Sequence, residues 1–457
     1  MSTDEVTPVR QQYLDTKRQY QNEILLFRLG DFYETFDEDA EIVSRELDIV
    51  LTSRPVGGGV RVPLAGIPYH ALDNYLIKLV EKGYHVAIAE QQGEQPVKGL
   101  FPRKVVRVVT PGTLIEPSLL PGDANNYLAA VIMESSGSAA GTTRAAIAYA
   151  DISTGEFAVT ELETANGAPL RAELTRLRPA EIIHPDTIVL PLPSGEGRGE
   201  GGHATPLPAW RFEPGRCAES LLRHFDASTL DGFGLKNAPL AVRAAGAILG
   251  YLKETEPASL ALLTSLRHYS LDEFMTLDAP TRRNLELTET LRPTQGDALR
   301  GEVKGSLLGV LDLTVTPMGK RLLRQWVSQP LLDLAKIETR QNGVEFFFSG
   351  GLTRAELRAA LKPLADLERL TNRILSGHAQ PRDLVALRET LRRIPAILAV
   401  LPPGAAPIQA TLNRLSPCAE ALSLLEQSIA DDPPATTQNT GIRSEERRVG
   451  KECRSRW

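Results

Sequence analysis

Residues 24–36 read ILLFRLGDFYETF. This is an apolar run of strand type at Ile24-Leu25-Leu26-Phe27, a break at Gly30-Asp31, and a strand-like segment carrying Phe32, Tyr33 and Glu34. Side chains alternate along a strand, so Phe32 and Glu34 share one face and Tyr33 takes the other. Working outward, residues 9–23 read as a helix with Tyr13 and Tyr20 on one side of it. Residues 36–47 read as a second helix, 49–52 as a short strand and Gly57-Gly58-Gly59 as a turn. A helix over 73–81 sets Leu72, Leu76, Leu79 and Val80 on one face, and strands follow at 86–89 and 104–109. Alternating strands and helices over residues 1–117 predict a small mixed α/β domain.

A Pro- and Gly-rich stretch at 111–123 marks a boundary. Beyond it, strands at 127–133, 145–150 and 156–160, a helix at 170–177 and a strand at 181–183 give a second α/β unit, taken as 118–250. The run PSGEGRGEGGHATP at 193–206 is low in complexity and is expected to be a flexible loop. From about residue 216 the strand signal fades. Helices are predicted over 241–252, 280–291, 318–328, 334–347, 353–361, 365–376 and 381–393, giving a helical third unit over 251–442. The fold class expected is therefore multidomain, α/β followed by all-α. The end of the chain, RSEERRVGKECRSRW at 443–457, is dense in charge without an apolar period, and we expect it to be a non-native tail.

Composition narrows the function classes. The apolar runs fall far short of the ~18–20 residues of a membrane-spanning helix, and the polar N-terminus lacks the apolar core of a secretory signal. Cys217, Cys418 and Cys453 are isolated, which argues against a zinc site or a disulfide framework and favours a cytoplasmic setting. The net charge is −6, and the first 117 residues hold 13 Lys/Arg against 17 Asp/Glu. Such a domain cannot hold a nucleic acid by counterion release alone. A nucleic-acid function would need specific chemistry and a local basic patch. Arg103, Lys104 and Arg107 form one candidate cluster for backbone phosphates, with Arg103 and Arg107 four apart on one strand face; Arg54 and Arg61 flank the glycine turn.

The pairing of Phe32 with Glu34 suits contact with a base better than contact with a backbone. A ring stacked on a base contributes about 1–3 kcal/mol. A wedge that kinks a duplex meets less resistance at a mispaired base, which is already poorly stacked. A carboxylate there can accept a hydrogen bond from a base edge. From the three residues alone, a core aromatic beside a solvated charge is the favoured reading.

Longer segments decide the matter. GDFYETF at 30–36, LAGIPYHALDNYL at 64–76, RKVVRVVTPGT at 103–113, DAPTRRNLEL at 278–287 and LDLTVTPMGKRLLRQWVSQPLLD at 311–333 closely resemble the MutS family of bacterial mismatch-repair proteins, in the family's order. Thr7-Pro8 followed by Gln11-Gln12-Tyr13 resembles the family's start, and the likeness covers about residues 7–440. It implies a mismatch-binding domain, an RNase H-like connector and the first segment of a helical core/lever domain, incomplete here, so that the apolar faces of helices over 318–395 lack partners. It implies that Phe32 stacks on a mispaired base and that Glu34 hydrogen-bonds to it. It also implies double-stranded DNA with mismatches or small loops as ligand, a MutL-type partner met through the connector, homodimerisation, and a nucleoid-associated location. ATP and Mg would act through a C-terminal ATPase domain beyond these residues, so this chain as given is expected to carry no enzymatic activity and no cofactor.

Three other features have plainer readings. Met318-Gly319-Lys320 lacks the rest of a phosphate-binding loop, since Thr314 stands where a glycine is needed and Arg321 follows the lysine; it reads as a turn into a helix. His70 sits in a turn without a nucleophile or acid at telling spacing. Asp151 ends a strand in the RNase H-like unit, but the carboxylate cluster of a metal nuclease is not evident. A MutS paralogue working as an interaction protein is a further alternative, disfavoured because such relatives typically lack the Phe-x-Glu pair.

Overall fold

The computed structural model describes residues 7–57, 60–93, 101–116, 119–135, 143–164, 166–191, 202–291, 303–402 and 404–434. The tail at 443–457 lies outside them, as do Gly58-Gly59 of the glycine turn and most of the low-complexity run. The first unit is a six-stranded sheet in the order β3-β4-β2-β1-β5-β6. Its strands are β1 Ile24–Leu29, β2 Phe32–Phe36, β3 Thr52–Gly57, β4 Val60–Pro68, β5 Val86–Gln91 and β6 Arg103–Val109. β1 runs parallel to β5, and the other pairs are antiparallel. Helices α2 Asp37–Leu47 and α3 Leu72–Val80 cover one face, burying Val43, Leu47, Leu76 and Leu79 over Leu26, Tyr33, Ile67 and Ile88. Helix α1 Pro8–Lys17 lies on the other, where Tyr13 packs edge-on against Phe27 and Phe36.

The second unit is also a six-stranded sheet, β11-β10-β7-β8-β9-β12. It is built on the antiparallel meander β7 Leu128–Ser135, β8 Thr143–Asp151 and β9 Glu156–Thr164. Parallel strands β10 Glu181–Pro185 and β11 His203–Leu207 extend one side, and β12 Arg267–His268 the other. This is the RNase H-like arrangement expected. Helix α4 Ala168–Leu177 packs on one face, and α5 Pro214–His224 and α6 Pro239–Thr255 on the other. The α5–α6 contact is so close that a Cβ on Gly246 would lie 2.4 Å from the Cβ of Cys217, which only glycine permits. The remainder is helical: α7 Ala279–Asn284, α8 Leu307–Leu311, α9 Pro317–Ser328, α10 Leu334–Ser349, α11 Gly351–Leu361, α12 Leu367–Leu375, α13 Pro381–Val400, α14 Gln409–Leu412 and α15 Ala419–Ser428. Helices α10 and α11 contribute no buried residue among those described, and Leu334, Val344, Phe348 and Leu352 are exposed. No helix among the described residues is long and apolar enough to cross a membrane.

Several expectations are corrected. The first helix ends at Lys17, not 23, because Lys17 Nζ donates to the Glu23 carbonyl across a turn. The strand expected at 49–52 begins only at Thr52. Asp48 closes α2 in a left-handed conformation, Ser44 bonds the Ile49 carbonyl, and Val50 and Leu51 are exposed. The helix expected over 280–291 stops at Asn284, since Glu286 turns left-handed and the 286–287 carbonyls accept from Leu307 and Leu308 N–H. His203–Leu207, read as loop, is a strand because its backbone pairs in register with β10. The cut placed between 250 and 251 falls inside α6, whose Ile248, Leu249, Tyr251 and Leu252 belong to the connector core.

The boundary stretch expected at 111–123 carries core residues. Leu114 and Leu120 join the core of the first unit, and Ile115 joins that of the second. The two units are clasped by Glu181, a fully buried carboxylate. It accepts from Thr110 Oγ1 at 2.5 Å, Gly112 N at 3.1 Å, Thr205 Oγ1 at 2.8 Å and Tyr251 OH at 2.7 Å, and its Oε1 lies 3.2 Å from His85 Nε2. Burial of an ionised carboxylate is tolerated only with such full pairing.

Burial pushes Glu181 up, but the bonds from His85 and the hydroxyls outweigh it and hold the carboxyl low. Burial pulls His85 down, but the bond and charge of Glu181 raise it on balance. A raised imidazole contributes stability that is full below its ordinary value of 6.5 and is lost as pH rises through its folded value. A lowered carboxylate contributes above its ordinary value of 4.5 and loses that as pH falls through its folded value. The clasp is strongest between those two ordinary values. We expect the melting temperature to fall on the alkaline side of this window, and His85→Gln to flatten that arm. Thermal melts from pH 4 to 9 check this, and an identical alkaline slope in wild type and variant would refute it.

A candidate DNA-reading surface

The hairpin between β1 and β2 has only Gly30 and Asp31 in its turn, with Leu29 opposite Phe32. Gly30 takes a φ of +61°, which a two-residue hairpin with glycine first requires. That register sends Tyr33 inward, where it is 4% exposed, and leaves Phe32 47% exposed. Full burial of a phenylalanine contributes roughly 1.5–3 kcal/mol, and Phe32, half exposed, forgoes a share of it. Glu34 lies on the same face as Phe32, between Phe27 of β1 and Gly66 of β4. Phe36 and Phe27, further along that face, are covered by α1, so the open part of the face is the Phe32–Glu34 end.

Tyr33 anchors the strand from the other side. Its hydroxyl bonds Glu90, and Arg28 stacks on its ring at 5.4 Å and on that of Tyr69 at 4.0 Å. Burial, together with the Glu90 carboxylate, pushes the Tyr33 phenol up to about 12, so it stays a donor. Tyr69, 46% exposed, follows Pro68, the residue paired with Phe32. Sequence reasoning placed Tyr33 correctly but missed Tyr69 and Glu90, whose contacts with Arg28 and Tyr33 join strands far apart in the chain, and with them the bridging role of Arg28.

The five basic residues do not form one patch. Arg54 lies across β4 on the face of Phe32 and Glu34, and its Nη1 sits 2.5 Å from Glu34 Oε2. Arg103 is on that face too, but its guanidinium is already engaged. It donates to the Arg28 carbonyl at 2.5 Å, Gln12 Oε1 at 3.0 Å and the Phe101 carbonyl at 2.9 Å, over the Phe27 ring at 5.2 Å. Burial lowers the Arg103 pKa, opposed by the charge of Glu34. Arg107 was expected beside Arg103. A bulge opposite Ile88 and Ala89 inserts one residue between them and turns Arg107 to the opposite face. There it pairs with Glu116 at 2.5 Å and lies 3.9 Å from Glu256 of the connector, so it serves the junction between units. Lys104 is exposed on that opposite face, across from Glu90, and Arg61 is exposed but bonds Ser53 through its side chain and carbonyl.

The remaining motifs are structural. Asp151 is fully buried, and its oxygens accept from Ser153 N and Oγ, Asn125 Nδ2 and Asn126 N, which leaves it no free coordination. Met318-Gly319-Lys320 is the first turn of α9, capped by Thr316 Oγ1 on Gly319 N at 3.1 Å. His70 lies in a single 3₁₀ turn leading into α3.

Fold and surface together define a multidomain protein in which a small α/β domain, clasped to an RNase H-like connector, presents an aromatic–carboxylate pair. Family comparison agrees domain by domain: MutS domain I matches residues 7–118, MutS domain II 126–266 and MutS domain III 280–454. The chain is 46% identical over 439 residues to the DNA mismatch repair protein MutS of Dehalococcoides mccartyi, covering 95% of this chain and 48% of that one. It is 43% identical over 447 residues to that of Symbiobacterium thermophilum, covering 97% and 50%. The chain belongs to the MutS family of DNA mismatch repair proteins, and it spans about half the length of the curated relatives it matches.

The assignment of the arginines is checkable. Arg103→Ala and Arg107→Ala should each lower stability by about 1–3 kcal/mol through lost charged hydrogen bonds. Neither should change the slope of log Kd against log salt for duplex DNA, whereas loss of a phosphate contact would reduce it by about 0.9. Chemical denaturation and a salt titration of binding measure both quantities, and a reduced slope in either variant would return that arginine to the DNA surface.

Proposed function

We propose that this chain binds mismatched double-stranded DNA, with Phe32 stacking on the mispaired base and Glu34 accepting a hydrogen bond from its edge. The observation that carries the reading is the register of β2, which holds an aromatic ring out in solvent beside a carboxylate while its neighbour Tyr33 is buried. Discrimination follows from deformation energy. Inserting the ring costs a few kcal/mol of unstacking in a paired duplex and less where the base is mispaired. Stacking worth about 1–3 kcal/mol recovers part of that cost. The acidic balance of the first unit accords with this, since its selectivity then rests on a local fit and not on bulk attraction.

Family membership supports the wider setting: a MutL-type partner met through the connector, homodimerisation, and a cytoplasmic, nucleoid-associated location. In this reading the residues here bind and do not catalyse, and ATP and Mg act through an ATPase domain of the family outside these 457 residues.

Phe32→Ala should abolish the preference for a mismatch over a matched duplex, a loss of about 5- to 150-fold in affinity for the mismatch given the stacking range. Fluorescence anisotropy with both duplexes at low salt measures it. Equal mismatch affinity in wild type and Phe32→Ala would sink the reading.

A further inference from the structure

Among the described residues on the face of Phe32 and Glu34, Arg54 is the one basic residue whose guanidinium pairs with Glu34. Its Nη1 lies 2.5 Å from Glu34 Oε2. The two side chains differ in access: that of Arg54 is 42% exposed and that of Glu34 19%. The pair is built by three adjacent strands. Arg54 stands opposite Val62 on β4, Glu34 stands opposite Gly66 on the same strand, and Val62 and Gly66 are on the same face. Gly66 leaves open the space beside Glu34 and Phe32: a Cβ there would lie 3.8 Å from Glu34 Cγ and 3.9 Å from the Phe32 ring. With Oε2 taken, Oε1 of Glu34 carries no hydrogen bond among the described residues.

A carboxylate brought to a duplex is repelled by phosphates, and Glu34 must nonetheless approach a base. Resting on the reading of Phe32 and Glu34 given above, we infer that Arg54 is a positioning residue for the reader and not an independent phosphate anchor. It neutralises Glu34 as the surface meets DNA and holds the side chain so that Oε1 alone faces the base edge. The ligand group it selects for is a hydrogen-bond donor on a displaced base. Arg103, on the same face, adds positive potential behind Glu34 but is fixed by its own backbone bonds, which leaves Arg54 as the adjustable partner.

A double-mutant cycle separates the two roles, because a residue acting through Glu34 loses its effect when Glu34 is neutral. The full chain is used as wild type, Arg54→Ala, Arg54→Lys, Glu34→Gln and Arg54→Ala/Glu34→Gln, each checked by thermal melt. Binding to a fluorescent duplex with a single mismatch and to its matched counterpart is read by anisotropy at low salt. Arg54→Ala should weaken binding to both duplexes by about tenfold, the order of one uncompensated close charge pair. Arg54→Lys should recover part of this, and the double variant should bind within about twofold of Glu34→Gln alone, the margin of independent effects. Equal losses from Arg54→Ala in the wild-type and Glu34→Gln backgrounds, with a shallower salt dependence, would make Arg54 a phosphate contact and overturn the inference. The Phe32→Ala arm reports separately: a mismatch preference that survives it defeats the reader assignment, whatever the cycle shows.

Discussion

The structure of the first unit depends on the register of one hairpin. Two turn residues join β1 to β2, so Leu29 must face Phe32, and every later side chain of β2 falls to a fixed side. Because strands alternate with a period of two, a slip of one residue would bury Phe32 and Glu34 and expose Tyr33 and Thr35. The core guards against that slip. Tyr33 fills a space between β1, β4 and α3's layer and is held by Glu90, and Thr35 is fully buried. The exposure of Phe32 is thus a consequence of how firmly its neighbours are buried. Gly30 is the element that makes the tight turn possible, since its left-handed φ would strain any residue with a Cβ.

Position within the molecule is set by a second constraint, the burial of Glu181. A carboxylate with no solvent access persists only where donors surround it, and here the donors come from both sides of the junction. His85, Thr110 and Gly112 belong to the first unit and its exit; Thr205 and Tyr251 belong to the connector. Separating the units would leave the charge without half its partners, at a cost of several kcal/mol. The orientation of the β1–β2 hairpin is therefore coupled to the connector through polar contacts far from Phe32. Arg107, between Glu116 and Glu256, reinforces the same junction.

The sequence made the alternating elements legible because their apolar periods are local. Val86–Gln91, α3 and the meander of the connector follow from runs of a few residues. The Phe32–Glu34 geometry was legible for the same reason, since period two needs no partner strand. What stayed hidden was non-local. The strand at His203–Leu207 looks like loop because its glycine-rich approach masks it and its identity comes only from pairing with β10. The bulge in β6 leaves no mark in Arg103–Val109, yet it decides which way Arg107 points. Leu114, Ile115 and Leu120, in a stretch read as a domain boundary, are buried by two cores that the local pattern cannot show.

Those hidden contacts alter how an acidic domain can face DNA. Counted along the chain, Arg54, Arg103 and Arg107 look like free positive charge; in space, each is bound to a carboxylate or to carbonyls. Around Phe32 the Arg54 charge is matched by Glu34, Arg103 is held by carbonyls and Arg107 faces away, so the surface carries less free positive charge than the chain count suggests. A weakly charged approach surface contributes little affinity for matched DNA, because the sequence-independent term is supplied by released counterions. Weak attraction to the backbone is an advantage for a reader, because it leaves the stacking and deformation difference as a larger share of the total. A strongly basic surface would raise affinity for every duplex and dilute that difference. The pairing of Glu34 with Arg54 fits this logic: on the proposed reading it would bring a hydrogen-bond acceptor to a base without placing an uncompensated negative charge among phosphates.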